Sequence, residues 1–143
     1  MRTGIPKSQI DLLGAVPLFS GCTKSELRAI AHLGTPTTGE EGAVLIKNGK
    51  PGREFFLVVS GTASCRVGRR EVATFGAGSY FGELALLYGG IRTADVIAAT
   101  PMELLVFDAR EFRSMLMNTP GVCVKMLARL AERLTESDSR YSD

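Results

Sequence analysis

A chain of 143 residues with 45% hydrophobic and 22% charged side chains has the size and composition of one soluble folded domain, not of a disordered tail. No uninterrupted apolar run exceeds that from Phe55 to Val59, and the first residues carry no basic-then-apolar leader, so a cytoplasmic chain without direct membrane insertion is expected. A net charge of +2, evenly scattered, builds no basic face, which argues against nucleic acid as a partner.

Residues 1–34 read as N-terminal helices. Val16-Pro17-Leu18-Phe19 forms an apolar plug ahead of a helix whose start is marked by Thr23 and Glu26. That pair is a capping box: the hydroxyl accepts from a first-turn amide while the carboxylate reaches back. Leu27, Ile30, Ala31 and Leu33 follow at helical spacing, and Gly34 is expected to close the helix in a left-handed turn.

From 35 to 107 the texture changes to short apolar stretches separated by Gly42, Gly49, Gly52, Gly61, Gly68, Gly76 and Gly78. Strands are expected near Ala43–Ile46, Phe55–Val59, Thr62–Val67, Val72–Phe75, Ala94–Ala98 and Glu103–Phe107, with Asn48-Gly49 and Pro51-Gly52 as the strongest turns. Short strands at this interval indicate an antiparallel sandwich or barrel. Helix then returns. Asp108 with Glu111 repeats the capping box, Phe112, Met115 and Leu116 give a short apolar face, and Thr119-Pro120 starts a last helix through Cys123, Met126, Leu127, Leu130 and Leu134. Residues 137–143 read as a polar tail.

Catalytic chemistry finds no support. His32 is the only histidine, and Cys22, Cys65 and Cys123 are odd in number and far apart, so neither a disulfide framework nor a metal site is expected. A metal-dependent β-barrel enzyme needs several histidines, and a two-metal hydrolase needs a carboxylate or histidine cluster.

The informative stretch is Phe81-Gly82-Glu83-Leu84-Ala85-Leu86-Leu87, followed by Tyr88-Gly89-Gly90-Ile91-Arg92-Thr93-Ala94-Asp95-Val96. Gly82 opens a turn of helix too short to be a core element, and such a start presents unpaired amides that favour an anion. Arg92 follows a flexible Gly-Gly, and its planar fork matches a phosphate. Glu83 conflicts with an anion unless the ligand also offers hydroxyl donors, because an ionised carboxylate only accepts. Together these groups describe a nucleotide clamp. The bland alternative is a surface loop in which Glu83 and Arg92 form an ordinary ion pair.

This segment resembles the phosphate-binding cassette of the cyclic-nucleotide-binding domain family, and the likeness extends from Val16-Pro17-Leu18-Phe19 through the Gly42, Gly49, Gly61 pattern to the last helix. The resemblance implies a mainly β fold with flanking helices: a β-roll of double-stranded β-helix or jelly-roll type. It implies a single domain over 1–143, with N-terminal helices at 1–34, a β-roll at 35–107 with a cassette helix inside 81–94, and C-terminal B and C helices at 108–136. It further implies cAMP or cGMP as ligand, with no other cofactor. Gly82, Glu83, Leu84, Ala85, Arg92 and Thr93 become the expected ligand-binding residues. Glu83 would accept from the ribose 2′-hydroxyl, Gly82 would approach the sugar through its backbone, the amide of Ala85 would bind a phosphate oxygen, and Arg92 would hold the phosphate. Thr93 would bear on the choice between adenine and guanine. Cys65 and Val72 are the candidates for the base wall, and Met126, Arg129 and Leu130 for a lid on the last helix. Ile91 replaces the proline common in relatives, which together with Gly89-Gly90 predicts a looser phosphate loop. The implied function is a sensor that couples ligand binding to movement of the terminal helices, serving an effector domain or a homodimer. The alternative is a degenerate fold used as a protein-interaction scaffold.

Overall fold

The structure is a computed structural model and describes residues 7–141. In chain order it comprises helix α1 (Lys7–Gly14), a 3-10 turn (Pro17–Phe19) and α2 (Lys24–Leu33), then strands β1 (Thr35–Gly39), β2 (Val44–Ile46), β3 (Glu54–Ser60), β4 (Ala63–Val67), β5 (Arg70–Phe75) and β6 (Tyr80–Phe81). Helix α3 (Glu83–Tyr88) interrupts the strands. β7 (Asp95–Ala98), β8 (Met102–Asp108), α4 (Ala109–Asn118) and α5 (Pro120–Tyr141) complete the chain.

The strands form two four-stranded sheets, ordered β1-β8-β3-β6 and β2-β7-β4-β5, with every pairing antiparallel. Period-two alternation along β3 and β8 explains how one sheet serves two cores. Phe56 and Val58 of β3, with Leu104 and Val106 of β8, face the second sheet and pack on Ile46, Ala63, Val96 and Ala98. Phe55, Leu57, Leu105 and Phe107 face the other way, onto the helices. The run from Phe55 is therefore apolar throughout because its strand is buried on both faces, the condition that removes polar alternation.

Both capping boxes form. Thr23 accepts from the Glu26 amide at 3.1 Å and Asp108 from the Glu111 amide at 2.7 Å, contributing about 1 kcal/mol each to their helix starts. Helix α5 is fixed at its beginning: Val122 and Met126 lie in the helical core, and Lys125 Nζ donates to Ser20 O at 2.5 Å and to Ser20 Oγ.

Three expectations need correction. Gly34 is extended rather than left-handed, with φ −80° and ψ 162°, because the chain runs directly into β1. Its role is spatial, since a Cβ there would lie 2.6 Å from Leu105 Cγ. β1, with the polar sequence Thr-Pro-Thr-Thr-Gly, is a strand that apolar patterning does not announce. The last helix also continues to Tyr141, past the expected boundary at 136, since no glycine or proline follows Gly121 to stop it.

Candidate functional site

Helix α3 inverts the usual logic of a surface helix. Glu83 and Ala85 are buried, at 4% and 5% exposure, while Leu84, Leu87 and Tyr88 stand 45–65% exposed. Burying a carboxylate costs several kcal/mol unless something compensates, so this inversion marks a site, not a packing element.

The helix starts at Gly82, whose φ of 93° lies in the left-handed region. A side chain there would also strike Glu54 O at 2.8 Å and approach Arg92 Nη1 at 3.3 Å. Glycine leaves no side chain to cap the helix, so the first-turn amides of Leu84 and Ala85 have no partner within the helix.

Arg92 lies behind this turn, 8% exposed. Its Nη1 donates to Gly82 O at 2.7 Å and its Nη2 to Glu54 O at 2.5 Å. Two carbonyls fix the plane of the fork and leave its other donors for a ligand. Burial works against the guanidinium charge, while the fields of Glu54 and Glu83 support it. Among the described residues no carboxylate oxygen lies within 4.0 Å of Arg92, so the ordinary Glu83–Arg92 ion pair does not form. The partner of Glu83 is Arg133 of α5, whose Nη1 stands 3.8 Å from Oε2.

The loop from Tyr88 to Arg92 is well held despite Gly89-Gly90. Backbone bonds run from Gly49 N to Arg92 O (2.9 Å), Arg92 N to Lys50 O (2.8 Å) and Gly52 N to Gly90 O (3.3 Å). Gly90 N donates to Ala85 O at 3.0 Å, and Tyr88 Oη donates to Ile91 O at 3.1 Å. This zipper does the restraining work that a proline would do by stiffening the chain. Asp95 faces away from this fork: it accepts from Asn48 N at 2.8 Å and lies 3.8 Å from Lys47 Nζ.

A cavity of about 300 Å³ opens beside these groups, at the small end of ligand pockets, which run from ~300 to 1,000 Å³. Gly82, Glu83, Leu84, Ala85, Arg92 and Thr93 all line it, as do Cys65 and Val72 on the strand wall. Burial pushes the Cys65 thiol up, so it lines the wall as a neutral group. A larger groove of about 560 Å³ runs alongside under α5, bordered by Thr74, Lys125 and Arg129. It shares Phe75, Tyr80, Glu83 and Arg133 with the cavity but touches neither Arg92 nor Ala85, so the smaller space is the one on which Arg92 and Glu83 converge.

The lid residues fall differently. Met126 is 2% exposed and packs in the helical core, Arg129 pairs with Glu132 at 3.3 Å along the larger groove, and Leu130 does not line the cavity. Among the described side chains of α5, the one that reaches the cavity is Arg133. Its signal was present in the helical register: the buried stripe through Val122 and Met126 continues through 129 to 133, three to four residues at a time.

Glu83 has a titration consequence. Burial raises its carboxyl above the ordinary value of 4.5, opposed by its own backbone N–H and by Arg133, Arg92 and Arg129. The folded state then binds this proton more tightly than the unfolded state. Glu83 protonation thus stabilises the fold at low pH, and that contribution is lost as pH rises through the folded value. Without ligand, Glu83→Gln is expected to melt at a higher temperature than wild type at neutral pH, with the gap closing as pH falls toward 4.5. Thermal melts of both proteins across that range test this; a gap that stays constant or widens on acidification would contradict it.

The family model of the cyclic nucleotide-binding domain matches residues 37–119. The cAMP-dependent protein kinase regulatory subunit of Schizosaccharomyces pombe is 35% identical over 134 residues, covering 93% of this chain and 32% of that protein. Among solved structures, the Thermus thermophilus catabolite activator protein superposes with a TM-score of 0.80 at 29% identity, over 87% of this chain and 61% of that one. PKAR CBD2 with Sp-2Cl-cAMPS bound superposes with a TM-score of 0.78 at 25% identity, over 92% of this chain and 90% of that one. The chain spans about a third of the length of the curated relatives it matches.

Proposed function

Since the chain belongs to the cyclic nucleotide-binding domain family, we propose that its cavity takes cAMP or cGMP and that occupancy is reported through α5. The observation that carries this reading is the pairing of opposite specialists in one small space. A buried guanidinium with no carboxylate partner among the described residues, Arg92, and a buried carboxylate, Glu83, line the same cavity. The cyclic phosphate meets Arg92 and the free amides of Leu84 and Ala85. The ribose hydroxyl donates to Glu83, and the base lies toward Cys65 and Val72, with Thr93 at its edge.

Coupling follows from the double use of Glu83. Its partner is Arg133, so a ribose that engages the carboxylate alters what holds the middle of α5. Val67, Val72, Leu84 and Ile91 stand exposed around the cavity, and Val124, Leu127 and Leu134 stand exposed on α5. Two uncovered apolar surfaces on one chain give a relocated helix something to bury. Ligand shifts that equilibrium only by its differential affinity for the two arrangements. The effector is a further part of a longer protein or a separate partner, as the kinase subunit and potassium channels among the relatives suggest.

The test is a calorimetric titration with cAMP, cGMP and linear AMP, repeated as thermal melts. A cyclic nucleotide at a hundred times its Kd is expected to stabilise the fold by about 2.7 kcal/mol, and linear AMP to give much less. Absence of heat and of stabilisation with both cyclic nucleotides would leave the ligand-free scaffold as the better account.

A further inference from the structure

We infer that Gly52 is a positioning residue of the phosphate site, required for the space its missing side chain leaves and not for its backbone conformation. This rests on the cyclic-nucleotide reading above. Gly49 and Gly68 provide the contrast: both have positive φ, +88° and +63°, and a Cβ on either would meet nothing within 4 Å. Those are glycines of conformation. Gly52 is the reverse. Its φ lies outside the left-handed region, so alanine could adopt its backbone, yet a Cβ there would sit 2.3 Å from Ala85 Cβ, 3.2 Å from Arg92 Cζ and 3.3 Å from Arg92 Nε.

None of these neighbours yields cheaply. Ala85 is 5% exposed in the first turn of α3, and its carbonyl receives Gly90 N, which is itself tied back to Gly52 N through Gly90 O. Arg92 is clamped by the carbonyls of Gly82 and Glu54. A methyl group at position 52 must therefore displace either the row of free amides or the guanidinium. Those are the two groups that face the phosphate, whereas the Glu83 carboxylate is not among the atoms struck.

The experiment measures cyclic-nucleotide affinity by calorimetry and the ligand-free melting temperature for wild type, Gly52→Ala, Ala85→Gly and the double variant. Gly52→Ala is expected to bind roughly tenfold more weakly, the scale of overpacking by one methyl group. Ala85→Gly removes the atom 2.3 Å away, so the double variant is expected to regain most of the affinity lost by Gly52→Ala. A residue that merely supported the fold would lower the melting temperature without this rescue pattern. Wild-type affinity in Gly52→Ala would overturn the inference, as would a double variant that binds as weakly as the single one. If Gly52→Ala does not fold, the double variant decides alone: folding and binding support the steric role, and failure of both refutes it. A wild-type protein that binds neither cyclic nucleotide sinks the underlying reading instead, before position 52 is touched.

Discussion

Arg92→Ala is expected to weaken cyclic-nucleotide binding by roughly two to three and a half orders of magnitude. The reasoning starts from burial. The guanidinium is 8% exposed, held by the carbonyls of Gly82 and Glu54, and without a carboxylate within ion-pair distance among the described residues. A phosphate in the cavity becomes its counter-ion in a space from which water is largely displaced. Removing one member of a buried charge pair costs about 3–5 kcal/mol, because the other is left desolvated and alone. At about 1.4 kcal/mol per factor of ten, that is the stated loss. Arg92→Lys keeps the charge but cannot bond two carbonyls and a phosphate in one plane, so it should fall between wild type and alanine. The substitution also frees the two carbonyls that Arg92 holds, so ligand-free melting must be measured beside calorimetry. Affinity within threefold of wild type in a folded Arg92→Ala protein would remove this residue from the phosphate site.

Glu83→Gln should cost less, about ten- to a hundredfold, the range of 1.5–3 kcal/mol associated with a hydrogen bond to a charged group. The diagnostic is the comparison ligand. A cyclic nucleotide lacking the 2′-hydroxyl offers Glu83 no donor, so wild type and Glu83→Gln should bind it nearly alike. Equal losses for both ligands would show that the carboxylate shapes the cavity without reading the sugar. Stability is expected to move in the opposite direction, because without ligand the same buried carboxylate burdens the fold at neutral pH. A side chain that improves binding while lowering stability is the mark of a functional group.

The fold was readable because its signals are local. Capping boxes at Thr23 and Asp108 sit where the structure has them, and the interval of glycines follows the strand turns. The phrase Phe-Gly-Glu-Leu-Ala-Leu with Arg92 named its residues directly, and the structure gathers Phe81 through Ala85 and Arg92 on one cavity. What escaped reading was non-local. β1 is polar and exposed, and it is a strand because β8 offers an edge, with Thr35 through Gly39 paired to Val106 through Met102. Met126 and Arg133 share one helical face, and only the packing of α5 decides that the first is core and the second borders the cavity. Gly52 carries the same letter as the turn glycines beside it; its distinction lies in a distance to Ala85, thirty-three residues away in the chain.

The way α5 is secured also sets its gain. Its root is pinned by Lys125 on Ser20 and by Met126 in the core, which makes that turn a fulcrum. At about 1.5 Å of rise per residue, Arg133 lies roughly 10 Å along the arm and Tyr141 roughly 22 Å. On the proposed reading, any sideways displacement imposed at Arg133 by an occupant on Glu83 would emerge about twice as large at the far tip, so this helix would amplify as well as transmit.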